Sequence, residues 1–232
     1  MSQTPLFADR IHAGEELARV IHELLTQQTI DSGVKPVPIV YALPRGGVPV
    51  AAPIARLLGC PLTIVVAKKI SHPDNPELAI GALTSSGNAI WTEQKLFRFK
   101  NNFRWREVAF NKAIKQAKAL EEQLISACPQ VNPKNKTAIL VDDGIATGMT
   151  MAVAASAIKA FSPAAVWLCT PVAPKSLLPR LNQWGDRIIA LETPEPFWSV
   201  SNFYLQFPQV DTLEVLATLQ QQKTIGTMDL CE

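Results

Sequence analysis

The sequence predicts an α/β fold in which a central, mostly parallel sheet is flanked by helices. Two short apolar runs, Ile39–Leu43 and Ala138–Val141, each end in a small-residue turn that leads at once into a helical stretch. Strand–turn–helix order of this kind builds βαβ units, whose crossovers make neighbouring strands parallel. The third observation is bulk: 232 residues, 47% of them hydrophobic, supply the core of one domain of ordinary α/β size.

Taken in order, Gly14 to Gln27 places Leu17, Val20, Ile21, Leu24 and Leu25 at helical spacing. Pro36 and Pro38 introduce the β-prone run Ile39–Leu43, Pro44–Gly47 is a turn, and Val48 to Leu58 reads as a helix stopped by Gly59. Leu62–Ala67 reads as a second buried strand. Farther on, Ala138–Val141, a helix over Met151–Phe161 and a strand near Ala164–Cys169 form another such unit. Arg187–Leu191 is the expected last core strand. A helix over about Asp211–Gln222 follows, with Asp211 and Glu214 at capping-box spacing. Ile70 to Lys136 is the least regular part. It holds Pro73, Asn75 and Pro76, a hairpin around Ser85–Asn88, and a helical stretch from about Glu93 to Ala127.

Charge excludes little but weighs against some partners. The net charge is +2, which makes no global case for nucleic acid or an anionic membrane. Lys95 to Lys118 is a local exception, with eight Lys or Arg against Glu107 alone. Such a run is first a solvated helix face; a subunit contact, a phosphate-reaching segment or an RNA-binding face are the alternatives. Cys60, Cys128, Cys169 and Cys231 form no C-x-x-C pair, so neither a zinc knuckle nor a redox motif is indicated. Cys60 and Cys169 lie beside or within apolar runs and read as buried thiols. The first residues lack a cationic start with an apolar core, and no run reaches membrane-spanning length. The expectation is a cytoplasmic protein.

The most informative stretch is Ile139-Leu-Val-Asp-Asp-Gly-Ile-Ala-Thr-Gly-Met-Thr150. An apolar strand delivers Asp142 and Asp143 at its carboxyl end, and a turn with Thr147 and Thr150 opens the next helix. Free N–H groups at a helix start suit a phosphate. Gly144 and Gly148 permit backbone conformations and approaches that a Cβ obstructs. The carboxylates suit vicinal hydroxyls or a hydrated Mg²⁺. Receiver-like and phosphatase-like folds also place an Asp after a strand, but they need no Thr-Gly-x-Thr turn. A second anion loop is Pro44-Arg-Gly-Gly47, where Gly46 and Gly47 expose N–H groups and Arg45 adds a fork of donors. In a parallel sheet both loops emerge at the carboxyl edge, where ligands of open α/β sheets bind.

Four apolar residues, two acids, a small linker and Thr-Gly-x-Thr resemble the phosphoribosyl pyrophosphate (PRPP) signature of type I phosphoribosyltransferases. Pro44–Gly47 is similar to the pyrophosphate loop of that family, which implies a non-proline cis peptide there. Lys68–Ala82, Phe7–Arg10 and Pro194–Trp198 look like a bacterial subgroup of phosphoribosyltransferase-domain proteins. In that subgroup Arg-Lys is expected where Lys68-Lys69 stands; a lysine keeps the charge but not bidentate phosphate recognition. The resemblance implies a single type I phosphoribosyltransferase-like domain over 1–232. Its core would be about 36–70 and 137–192, with a helical insertion at about 91–136 and a C-terminal hood and tail at about 193–232.

By the same resemblance, Asp142, Asp143, Arg45 and Lys69 form the candidate catalytic set. Ala146, Thr147, Gly148, Met149 and Thr150 would hold the 5′-phosphate; Arg45, Gly46, Gly47, Lys68 and Lys69 would hold pyrophosphate. Mg²⁺ is the implied cofactor, carried by Asp142 and Asp143 mainly through water and ribose hydroxyls. The implied reaction is phosphoribosyl transfer from PRPP to a nucleobase-like acceptor with release of pyrophosphate, in nucleotide metabolism. A non-catalytic PRPP- or nucleotide-sensing regulator on the same fold is the alternative, and a ribose-phosphate phosphorylase or hydrolase is a third reading. Phe197, Trp198 or Phe203 is expected to stack on a heterocyclic acceptor, or else to close the core. His72 reads as an exposed loop histidine within reach of a phosphate, whereas His12 and His22 carry no chemical role. Asp74 and Glu77 read as turn or cap residues, or as support for a second Mg²⁺. The family alone suggests a homodimer.

Overall fold

Residues 5–72, 75–92 and 103–228 are described by the structure, a computed structural model. Helix α1 (Arg10–Ser32) begins where the Asp9 side chain accepts the His12 N–H at 2.8 Å and ends at left-handed Gly33. Its buried stripe is Leu17, Ile21 and Leu25. The stripe packs on α2 (Gly47–Leu58), an apolar helix buried along most of its length. Gly14 permits this closeness, since a Cβ there would lie 2.4 Å from the Val50 carbonyl oxygen.

Five parallel strands form the main sheet: β1 (Pro38–Ala42), β2 (Leu62–Ile64), β6 (Thr137–Val141), β7 (Ala165–Val172) and β8 (Arg187–Glu192), in the order β2-β1-β6-β7-β8. Alternation decides which side each residue fills. Val40, Ala42, Ile139 and Val141 pack with α1 and α2, whereas Ile39, Tyr41, Ala138 and Leu140 pack with α4 (Met149–Lys159) on the opposite face. A short helix, α5 (Leu178–Trp184), joins β7 to β8. From β1 the chain winds outward to β2, and from β6 it winds outward the other way, so the winding reverses between β1 and β6.

The expected strand Leu62–Ala67 is divided between two sheets. The Val65 N–H still bonds Ala42 in β1, but the Val66 carbonyl accepts from Ser85 in a separate hairpin. The stretch read as irregular is therefore a second, antiparallel sheet of β3 (Ala67–His72), β4 (Asn75–Thr84) and β5 (Ala89–Trp91). Its β4–β5 turn spans the predicted Ser85–Asn88 site, with Gly87 at φ 91°. Helix α3 (Phe103–Leu124) covers one face of this sheet. Ala109, Ala113, Ala117, Leu120 and Leu124 face inward at helical spacing, against Ile70, Ile80 and Leu83. Lys112, Lys115 and Lys118 point to solvent, as a solvated face requires. Lys95, Arg98 and Lys100 lie outside the described residues, as does the side chain of Arg104.

After β8 the chain runs as an irregular segment across the carboxyl edge of the main sheet and closes with α6 (Thr212–Met228), whose start is capped by Asp211 accepting the Glu214 N–H. Phe7 bridges to Tyr204, so the residues before α1 and the segment after β8 pack together there, around Phe7, Val172, Phe203 and Tyr204. Among the described residues no helix is long and apolar enough to cross a membrane.

Candidate functional site at the β1–β6 switch point

Where winding reverses, two adjacent parallel strands send their following loops apart and leave a crevice at their carboxyl ends. Here Ala42 of β1 pairs with Val141 of β6, so both strands end level, and the Leu43 N–H still bonds the Val141 carbonyl at 2.9 Å. The two anion loops singled out in the sequence thus flank one crevice.

Their contact is close. A Cβ on Gly46 would lie 2.0 Å from Asp143 Oδ2, and one on Gly47 would lie 2.6 Å from the Val141 carbonyl oxygen. The first loop contains a cis Pro44–Arg45 peptide, as the family resemblance implied. Gly46 begins α2 with no side-chain cap, and Gly148, in the left-handed region, begins α4 likewise. At the α4 start this leaves backbone donors and the positive end of a helix dipole at the crevice. At the α2 start, against expectation, the turn folds back on itself: the Gly47 N–H bonds the Leu43 carbonyl at 3.0 Å, the Val48 N–H bonds the Arg45 carbonyl at 3.1 Å, and Pro49 has no N–H. Ala146 and Thr147 are exposed, Thr150 is half-buried, and Gly148 and Met149 are buried. Trp184 and Leu177 back the turn: a Cβ on Gly148 would meet the Trp184 ring at 2.7 Å.

The basic residues divide between the two halves. Lys68 lies near enough to Arg45 that burial and this like charge lower its affinity for a proton. Lys69, exposed on β3, lies near enough to Asp142 to favour that carboxylate's charge. Burial, with Asp143 adjacent, nevertheless holds Asp142 well above the usual carboxylate range.

The two acids are not equivalent, which the sequence reading did not anticipate. Asp143 is taken by the protein: Arg10 Nε donates to its Oδ2 at 2.8 Å, and the Tyr204 hydroxyl donates to its carbonyl oxygen at 2.6 Å. Burial raises Asp143 above its ordinary range, with Arg10 opposing the rise. Asp142 accepts only the neighbouring Asp143 N–H, at 2.9 Å, among the hydrogen bonds resolved for its side chain. Arg10 and Tyr204 lie 133 and 61 residues from Asp143, so no local pattern could link them. The one available signal was the Phe7–Arg10 segment, which resembled the subgroup without a role attached.

Three expectations need correction. Phe203 is 1% exposed within the Phe7–Tyr204 cluster, so it supports the C-terminal segment and presents no face to an acceptor. Phe197 is half-buried against it, ring centroids 5.3 Å apart, while Trp198 is 78% exposed. His72 is not a loop residue: it sits half-buried on β3, its ring 5.0 Å from that of Trp105. Cys60 is half-buried rather than buried, whereas Cys169 is buried as expected. Asp74, Cys231 and the Glu77 side chain lie outside the described residues.

As a metal-supporting set, the crevice offers carboxylate oxygen and little else. Among the described residues no three His, Cys, Asp or Glu side chains gather closely enough to cage an ion. The Asp142 carboxylate, which accepts a hydrogen bond from the Asp143 N–H alone among those resolved for its side chain, fits Mg²⁺ of the kind held by one or two carboxylates plus water and substrate oxygens.

The phosphoribosyl transferase domain model matches residues 8–208. Two curated relatives from Mycobacterium tuberculosis, strains CDC 1551 / Oshkosh and ATCC 25618 / H37Rv, both named "Putative phosphoribosyl transferase", are 30% identical over 216 residues. That match takes in 93% of this chain but 47% of theirs, so the chain spans about half the length of these relatives. The crystal structure of TT1426 from Thermus thermophilus superposes with a TM-score of 0.73 at 32% identity, covering 93% of this chain and 98% of that one. With its five-stranded parallel sheet, reversed winding and paired anion loops, this chain has the type I phosphoribosyltransferase fold and belongs to the phosphoribosyl transferase domain family.

Proposed function

We propose that the protein transfers the 5-phosphoribosyl group of PRPP to a nucleobase-like heterocycle and releases pyrophosphate. The observation that carries this reading is the meeting of the Pro44–Gly47 turn with the adjacent acids at one switch point, where Gly46 closes on Asp143, with Lys68 near Arg45 and Lys69 near Asp142. A sugar carrying a phosphate at one end and a pyrophosphate at the other matches that spacing of charge.

In the reaction the bond from ribose C1 to the pyrophosphate oxygen breaks, and its electron pair leaves with pyrophosphate. A ring nitrogen of the acceptor supplies the pair for the new C1–N bond, and its proton passes to solvent. Arg45, Lys68 and Lys69 stabilise the departing charge, with the Gly46 N–H as a fixed donor. Ala146 to Thr150 hold the 5′-phosphate, so the sugar is anchored at both ends while C1 reacts. Asp142 faces the ribose hydroxyls and favours positive charge developing on the sugar. Mg²⁺, held through Asp142, its waters and substrate oxygens, would supply charge neutralisation on pyrophosphate. Trp198 is the exposed aromatic available to the acceptor.

The test is pyrophosphate release from PRPP across a panel of purine and pyrimidine bases. Turnover on at least one base, lost in Asp142→Asn, supports the proposal. Tight PRPP binding without turnover on any base would replace it with a PRPP sensor on the same fold. Unchanged PRPP binding in Asp142→Asn would remove the ligand assignment itself.

A further inference from the structure

We infer that Arg10 and Tyr204 form a clamp that holds Asp143 as a strut of the acid pair, leaving Asp142 as the acid that meets the ribose, and that this clamp joins the C-terminal segment to the sugar site. The inference rests on the PRPP reading and extends it to positioning residues outside both sequence motifs.

The geometry engages Asp143 from several directions. Arg10 is buried, and its donors are divided: Nε goes to Asp143, while Nη1 donates to the Pro208 carbonyl at 2.7 Å. Its guanidinium also lies 3.6 Å from the centre of the Phe207 ring. A lysine could keep the charge, but not two directed donors and a flat face together. Tyr204 fixes the main chain of Asp143, and Val200 presses on the next residue, where a Cβ on Gly144 would lie 2.2 Å from a Val200 methyl. From the other side Gly46 closes against the carboxylate. Val200, Tyr204, Phe207 and Pro208 all belong to the segment after β8, and Arg10 opens α1. The start of α1 and the segment after β8 therefore converge on one acid of the signature.

A buried ion pair is costly to desolvate, and stability alone is often served as well by apolar residues of the same volume. What an Arg–carboxylate pair supplies here is a fixed orientation, and the fixed object adjoins the ribose-binding acid. Arg10 is accordingly a positioning residue. Its loss would leave Asp143 free to swing toward Asp142 and compete for the same cations and hydroxyls. It would also release the C-terminal segment from the sugar site.

The experiment compares Arg10→Gln, Arg10→Lys, Tyr204→Phe and Asp143→Asn by calorimetry with PRPP and Mg²⁺ on the full chain. Arg10→Gln is expected to weaken PRPP binding at least about tenfold, the scale of one charge-assisted hydrogen bond. Arg10→Lys should recover thermal stability more fully than affinity. Losses from Arg10→Gln and Asp143→Asn should not multiply in the double variant, whereas those from Arg10→Gln and Asp142→Asn should. PRPP affinity within twofold of wild type in Arg10→Gln, or multiplying losses with Asp143→Asn, would overturn the clamp. If wild-type protein binds no PRPP, the functional proposal fails, and amide hydrogen exchange judges the clamp instead. Faster exchange in Arg10→Gln confined to residues 142–150 and 200–208 then supports it, and no change there or a uniform rise across the main sheet refutes it.

Discussion

Gly46→Ala tests the closeness of the two anion loops most directly, because its sign is diagnostic. Gly46 has φ −60° and ψ −30°, a conformation in which alanine is comfortable. Where the backbone permits it, replacing Gly by Ala ordinarily stabilises by about 0.4–1 kcal/mol through the unfolded chain. Here the added methyl would lie 2.0 Å from Asp143 Oδ2 and 2.7 Å from its Cγ. The carboxylate cannot yield freely, because the 2.8 Å bond to Arg10 holds it. Retreat far enough for ordinary contact breaks that bond, at a cost of roughly 1.5–3 kcal/mol for a hydrogen bond between charged groups. The net expectation is destabilisation of about 1.5 kcal/mol, or roughly 3–6 °C in unfolding temperature for a chain of this size. Thermal and urea unfolding measure it, with Gly33→Ala as a reference for backbone strain alone, since Gly33 is left-handed with open space around it. A rise in unfolding temperature for Gly46→Ala would refute the reasoning.

Asp142→Asn should raise the unfolding temperature of the ligand-free protein at pH 7. Burial and Asp143 lift the folded-state affinity of Asp142 for a proton, so this acid favours folding most below its ordinary pKa and less as pH rises; an advantage of the variant that fails to shrink toward acid pH would contradict this. Burial pushes the Cys60 thiol from 9.0 up to about 12. Native protein should therefore resist alkylation there at pH 8, and the stability that the neutral thiol contributes should erode between pH 9 and 12; rapid labelling of Cys60 before unfolding would count against it. Trp184→Ala removes the ring behind Gly148, with an expected loss of about 2 kcal/mol, below the 3–5 typical of fully buried aromatics. If the Ala146–Thr150 turn holds the 5′-phosphate as proposed, weakened binding of ribose 5-phosphate should accompany it, and unchanged binding would count against that backing role.

Local chemistry made much of this molecule legible. Periodicity located α1, α2 and α4 and four of the five main strands to within a few residues, because each is a complete amphipathic or apolar unit. The exception, Leu62–Ala67, was continuous in hydrophobicity but not in pairing: Val65 and Val66 bond to different sheets. Of the antiparallel sheet at 67–91 only the Ser85–Asn88 hairpin was legible, because the strands carry Lys, His, Asn and Pro along with apolar residues, which blurs alternation. Phe203 looked available as an aromatic near the site, yet it is buried in a cluster with Phe7 and Val172, which lie far from it in sequence.

By itself the sequence determined which groups could bind anions: two glycine-bearing turns at strand ends, two adjacent acids and a pair of lysines. Those depend on residue type and on neighbours a few positions away, which is the range over which backbone conformation is set. Tertiary structure alone decided how the acids differ. Asp142 and Asp143 are chemically identical neighbours on one strand end, and only distant residues distinguish them. Arg10, Tyr204 and Gly46 reach Asp143 by the folding of three separate elements onto one edge, whereas the hydrogen bond resolved for the Asp142 side chain comes from the adjacent Asp143 N–H.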